Sequence, residues 1–197
     1  HNKIERKSIW SILRPYLGYV ALFFLLIFSS VLGSIYYSAS HEYISIVVKP
    51  GEKIKKIVLE DSSVVWLNSE SVLRIPTSFS PKKRVVKLEG EAFFDITKQK
   101  GIPFRVETEH VDVKVLGTSF NVMTDTYNDE IRISLLEGKV ALYEKGQSSK
   151  SAKILMPNQE AKYSPSNGEI MISPIRMDNV MSWITGKFSF EDNTLAE

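Results

Sequence analysis

From Leu17 to Tyr36 the chain runs for 20 residues without a charge, LGYVALFFLLIFSSVLGSIY. Fifteen of these are apolar; the other five are Gly18, Ser29, Ser30, Gly33 and Ser34. As an α-helix rising about 1.5 Å per residue, the run would span about 30 Å, the thickness of a bilayer's hydrocarbon core. A helix lying on a soluble domain needs a polar stripe, and this run offers none. It reads as a single N-terminal transmembrane helix, with membrane lipid as its first partner.

The flanks orient it. Residues 1–15 carry Lys3, Arg6, Lys7 and Arg14 against Glu5, whereas only His41 and Glu42 lie between the run and Lys49. The positive-inside tendency then places the N-terminus in the cytoplasm and residues 38 onward outside it. Trp10, Tyr16, Tyr36 and Tyr37 sit near the two boundaries, as an interfacial belt would. A cleaved signal peptide ending at Ser38-Ala39-Ser40 is the competing reading, but such apolar cores run only about 7–15 residues. In either case the larger C-terminal part is exported. The expected organisation is a cytoplasmic remnant over 1–15, the membrane helix over 16–37, an all-β domain over 38–177, and the truncated start of a small α/β domain over 178–197.

Composition narrows the classes further. The 197 residues hold 25 Lys+Arg and 23 Asp+Glu, a net charge of +2, which argues against a nucleic-acid partner. Cysteine is absent, so disulfides, CxxC redox chemistry, thiolate zinc sites and Cys-linked lipid anchors are excluded. Three scattered histidines, His1, His41 and His110, do not make a metal site. No metal and no cofactor are expected.

Beyond the helix the pattern has period two. Val111, Val113 and Val115 alternate with Asp112 and Lys114; Phe104 and Val106 alternate with Arg105 and Glu107; Ile131, Ile133 and Leu135 alternate with Arg132 and Ser134. Such alternation marks strands with one buried and one wet face. Turn residues separate the runs at Pro50-Gly51, Pro76 with Pro81, Lys100-Gly101, Lys145-Gly146 and Ser166-Asn167-Gly168. Three of the runs turn on a glycine: Gly90 before Ala92-Phe93-Phe94, Gly117 before Phe120, and Gly138 before Val140. Glycine turns a strand through a corner at positive φ without steric cost. Corners recurring every 20–30 residues favour a β-solenoid over a sandwich. Near the end, Asp178 is placed to cap a short helix over 179–185, followed by a strand at Lys187–Phe190 and a second cap at Asp192 or Asn193.

A search for reactive constellations leaves none standing. GxSxG, HExxH, the P-loop and GxGxxG-helix patterns are missing. Ser80-Pro81-Lys82-Lys83 fits SxxK, but that chemistry needs both residues on one helix, and Pro76 and Pro81 break any helix there. Glu89 and Glu91 could share a strand face as an acid/base pair, yet nothing nearby forms a cleft for a sugar. His110 reads as a turn residue. The chain is expected not to be an enzyme. Within the apolar run, Ser29, Ser30, Gly33 and Ser34 suit close helix packing. They also mark a weak helical stretch, the kind of region an intramembrane protease could unwind and cut.

The motifs taken together resemble one family. In order they are the single span, GEKIKKIVLEDSSVVWLNSESVLRIP (51–76), RVVKLEGEAFFDI (84–96), PFRVET (103–108), VKVLGTSFNV (113–122), ISLLEGKVAL (133–142) and WITGKFSFEDNTL (183–195). The chain is similar to the FecR family of transmembrane anti-sigma factors. Leu59, Asp61, Ser63, Val65 and Leu67 match the family's Leu-x-Asp-Gly-Ser-x-Val-x-Leu strand and turn, with Ser62 standing where the family usually has Gly. Gly90, Glu91, Ala92, Phe93 and Phe94 match its GEA-F-F segment; Pro103, Phe104 and Val106 its PF-x-V; Gly117, Thr118, Phe120 and Val122 its LGT-x-F-x-V. Gly138 marks the third corner.

The resemblance implies cell-surface signalling at a bacterial inner membrane. A TonB-dependent outer-membrane transporter would present its signalling domain to the periplasmic part. Periplasmic and intramembrane proteases would then cut the regulator and free an extracytoplasmic-function sigma factor. The piece after about residue 178 is similar to the start of a small secretin/TonB short N-terminal domain. The cytoplasmic segment that would hold the sigma factor is reduced here to residues 1–15. Two other classes stay open from the residues alone. One is a membrane-anchored glycan-binding module with Trp66 and Tyr127 as candidate groove aromatics; the other is a structural envelope protein.

Overall fold

The computed structural model describes residues 14–39, 43–80, 83–125, 127–128, 130–145, 152–166, 168–176, 180 and 182–184. The chain divides into two compact units, His1–Glu42 and Tyr43–Glu197. In the first, a single 3-10 turn at Arg14–Tyr16 leads into helix α1, Leu17–Ala39. Pro15 suits that entry, because its fixed φ and missing N–H cost nothing at a helix start. Phe23, Phe24, Leu25 and Leu26, which together go most of the way round the helix, are all about three-fifths exposed in this chain. The helix is unbroken through Ser29, Ser30, Gly33 and Ser34, and the Ser29 hydroxyl donates back to the Leu26 carbonyl (3.0 Å). Side chains in it are described from Gly18 to Ser34, and among the described residues no helix is long and apolar enough to cross a membrane.

The second unit is two seven-stranded sheets around one core. In order across the first sheet lie β1 (Tyr43–Val48), β4 (Ser71–Pro76), β5 (Arg84–Glu89), β7 (Phe104–Glu107), β8 (Val111–Val115), β11 (Val140–Glu144) and β12 (Lys153–Leu155). Across the second lie β14 (Glu169–Pro174), β13 (Gln159–Ser164), β10 (Glu130–Glu137), β9 (Ser119–Asp125), β6 (Glu91–Asp95), β3 (Val64–Leu67) and β2 (Lys55–Val58). All neighbours are antiparallel except β5 and β7.

This is a sandwich, not a solenoid. The hairpins are shared between the sheets, three in each: β4–β5, β7–β8 and β11–β12 in the first, β2–β3, β9–β10 and β13–β14 in the second. The chain changes sheet at each of the three glycine corners, as it does at several other connections: Gly90 lies between β5 and β6, Gly117 between β8 and β9, Gly138 between β10 and β11. A solenoid would stack each corner on an equivalent one through parallel pairing. Here each corner instead hands the chain to the opposite sheet, and antiparallel pairing closes it there. Gly90 and Gly138 take φ of 89° and 97°; Gly117 does not take a positive φ.

The alternating residues fill the space between the sheets. Phe94, Phe104 and Phe120 meet at its centre, with Phe94 and Phe120 stacked at 5.2 Å and Phe94 and Phe104 tilted at 6.4 Å. Val65, Leu67, Leu73, Val86, Val106, Val113, Ile133, Leu135 and Leu142 are buried around them. Burial of each such side chain is worth about 1.5–3 kcal/mol, which is why the period-two pattern sets the register. Val180 and Ser182–Ile184 are helical; the expected strand at 187–190 and the caps at Asp178, Asp192 and Asn193 lie outside the described residues.

Candidate functional site

The motif residues converge on the corners rather than on a reactive centre. Asp61 sits in the turn before β3, where its Oδ1 accepts from the Ser63 N–H (3.0 Å). Its Oδ2 receives Arg84 Nη1 at 2.6 Å, and both side chains are almost inaccessible. The same guanidinium donates to the carbonyls of Thr97 (3.0 Å) and Ile102 (2.7 Å) and lies 5.5 Å from the Phe104 ring centre. Ser63 Oγ accepts from the Thr97 N–H (3.1 Å). One buried cation therefore ties the β2–β3 turn, the start of β5 and the loop before β7 together. The turn also explains the glycine preference: Ser62 takes φ 66°, a left-handed conformation.

The corners interlock in the same way. A Cβ placed on Gly90 would lie 2.4 Å from Ser71 Oγ and 2.7 Å from Ser71 Cα. That leaves room only for hydrogen at this position. Ser71 Oγ accepts from the Glu91 N–H (2.8 Å), and Gly90 N–H donates to Thr124 Oγ1 (2.6 Å). Glu91 receives Asn68 Nδ2 (2.7 Å) and Asn121 Nδ2 (2.9 Å). At Gly138 a Cβ would meet Thr118 Oγ1 at 2.8 Å, and Thr118 Oγ1 donates to the Lys139 carbonyl (3.2 Å). At Gly117 it would meet Lys98 Cβ at 2.6 Å. Leu59, Val65, Leu67, Phe94, Phe104 and Phe120 are core, and half-buried Pro103 leads into β7.

The residues weighed as reactive pairs do not pair. The Lys83 N–H donates to the Ser80 carbonyl in a turn (3.0 Å), so SxxK is not helical. The Gly90 corner puts Glu89 in one sheet and Glu91 in the other, so they share no face. Glu89 bonds Arg74 (2.6 Å) while Glu91 holds the two asparagines. Trp66 is half-buried under Lys56 (5.4 Å) and against Phe93 (5.8 Å), and Tyr127 is fully exposed.

A cleft of about 680 Å³ opens beside Thr108–His110, Asp125 and Glu130. No local pattern announces it, because its residues come from six separate segments. Leu88 and Ile131 supply the apolar part. The walls mix Arg74, Lys87, Lys145 and His110 with Glu89, Glu107, Glu109, Asp125 and Glu130. Asn128 side-chain and backbone donors hold the Asp125 carboxyl below its ordinary value. Burial raises Glu130, but hydrogen bonds from Lys162 and Arg132 outweigh it and leave the carboxyl low. On the neighbouring outer face of the first sheet, burial and then the Glu107 charge push Asp112 up, and the same two causes raise the Tyr43 hydroxyl. Mixed, salt-bridged charge of this kind suits recognition of a polypeptide of complementary charge rather than catalysis. Among the described residues no His/Asp/Glu cluster could hold a metal ion.

Residues 45–141 match the family model "FecR protein". Two crystal structures of a candidate anti-sigma factor from Parabacteroides distasonis share the fold. One superposes with a TM-score of 0.67 at 36 % identity, over 74 % of this chain and 66 % of that one. The other gives 0.66 at 37 % identity, over 73 % and 65 %. No curated protein matches the chain. Residues 45–141 are thus a FecR domain, and the chain spans about two thirds of the length of those solved relatives.

Proposed function

We propose that this protein is a single-pass signal transducer of the anti-sigma type. Its FecR domain receives contact from the signalling domain of a TonB-dependent transporter on the far side of the inner membrane. Regulated proteolysis in and near the membrane helix then releases an extracytoplasmic-function sigma factor. The observation that carries this reading is the position of the FecR domain directly after an uncharged helix. The helix runs over Leu17–Ala39, 23 residues and about 35 Å, without a charged residue. The solved relatives, described as candidate anti-sigma factors, support the regulatory part.

The β unit serves as an inert contact platform in this scheme. Its family-motif residues are committed to corners and to the Asp61–Arg84 pair, which leaves the charged cleft and the sheet edges for partners. Ser29, Ser30, Gly33 and Ser34 are the proposed cleavage region. The glycan-binding alternative has less support, because Trp66 is committed to Lys56 and Phe93.

The test is to co-purify the chain in detergent with transporter signalling domains and, in cells, to read sigma-dependent transcription with and without it. Capture of a signalling domain, with altered transcription on deletion, is the expected result. A chain extracted without detergent, or one that captures no signalling domain, overturns it.

A further inference from the structure

We infer that the helical segment around Trp183 lies as a third layer on the outward face of the second sheet, over the row Trp66, Phe93, Asn121, Ser134. The register sets these residues side by side across β3, β6, β9 and β10. Their sequence neighbours Ala92, Phe94, Phe120, Val122, Ile133 and Leu135 point into the core, so the row faces outward. An outward row in mid-sheet is normally wet. Here Phe93 and Asn121 are only 4 % exposed and Ser134 only 2 %. Phe93 is also outside the core cluster between the sheets. A large aromatic ring shielded from water on that side needs a covering layer.

Two orphaned groups name the cover. Asn121 Oδ1 is buried without a donor, and the Trp183 indole N–H is buried without an acceptor. A buried unsatisfied polar atom is costly, and these two are chemically complementary. Val180, Trp183 and Ile184 are half-buried and helical, so this segment packs an apolar side against something. Its reach is sufficient. From Pro174, at the end of β14, three strand spacings separate the chain from β9, about 14 Å. Nine residues separate Trp183 from Pro174, and even partly contracted they cover that distance, since nine residues of extended chain span about 30 Å. The seat is therefore an aromatic and amide strip, and its occupant an apolar helix face carrying one indole donor. A partner that draws this helix away would uncover Trp66 and Phe93.

The test uses the full chain in detergent with Trp10→Phe and Trp66→Phe, leaving Trp183 as the one tryptophan. The expected emission is blue-shifted and protected from acrylamide. Asn121→Arg should redden it and raise quenching severalfold while β-sheet circular dichroism persists. Should Asn121→Arg fail to fold, the milder Asn121→Ser and Trp183→Phe serve in a double-mutant cycle on unfolding. Their joint effect on the unfolding constant should fall short of the product of the single effects by about fivefold. A Trp183 spectrum indifferent to Asn121→Arg in a folded chain, or effects that multiply within twofold, overturns the inference.

Discussion

Asp61 and Arg84 form an ion pair of 2.6 Å in which neither side chain is more than 4 % exposed. The pair joins two segments 23 residues apart, and Arg84 also donates through Nη1 to the Thr97 carbonyl and through Nη2 to the Ile102 carbonyl. Removing one partner leaves the other charge buried. Asp61→Ala should cost about 3–5 kcal/mol in denaturant unfolding. Arg84→Lys should also be costly, since a point ammonium cannot reproduce the three-way fork. Loss of less than about 1 kcal/mol in either variant would contradict the role given to the pair.

Gly90 and Gly101 separate space from conformation. Both have positive φ, 89° and 74°. A Cβ on Gly101 meets nothing within 4 Å, whereas one on Gly90 collides with the Ser71 backbone. Gly101→Ala should cost about 1 kcal/mol from φ alone. Gly90→Ala should cost about 2–4 kcal/mol, as overpacking adds to the strain. Equal melting temperatures for the two variants would refute the corner packing.

Ser62→Gly is expected to stabilise. Relief of the left-handed φ at Ser62 is worth about 1–2 kcal/mol. Glycine's greater freedom in the unfolded chain takes back about 0.4–1 kcal/mol. A net gain of about 0.5–1 kcal/mol should appear as a small rise in midpoint denaturant concentration without a change in slope.

Asp112 and Glu130 should respond to pH with opposite signs. Burial, then Glu107, raises Asp112. A raised carboxyl favours the folded state only when protonated, so ionised Asp112 weakens the protein once pH exceeds its folded value. Asp112→Asn should therefore raise the melting temperature at pH 7 by about 2–4 °C, for a change near 1 kcal/mol. The gain should fade as pH falls toward about 4. Glu130 is lowered despite its burial, because Lys162 and Arg132 bond its ionised form. Its stabilisation is present above about pH 4.3 and lost as pH falls through its folded value. Glu130→Gln should thus lower the melting temperature at pH 7, with the deficit closing in acid. Thermal scans of both variants across pH 3–8 check the pair of signs.

How much was legible depended on the range of the interaction. The period-two runs at Val111–Val115 and Phe104–Val106 give β8 and β7 directly, because a strand's two faces are written in adjacent residues. β13 is harder to read, since Gln159–Ser164 points only Ala161 and Tyr163 inward. The glycines announce corners, but a corner does not say which sheet the next strand joins. The cleft was not legible at all: Arg74, Glu107, Asp125 and Lys145 meet only after hairpins from both sheets are stacked.

What the chain encodes locally is the uncharged helix, the alternating strands and the glycine turns, since each depends on residues within a few positions of one another. Only the assembled sandwich decided that Asp61 finds Arg84, that Glu89 and Glu91 part company, and that a row of side chains is shielded on an outward face. Those outcomes hang on pairing between distant strands, whose free energy comes from burying two sheets against each other and is written in no single segment.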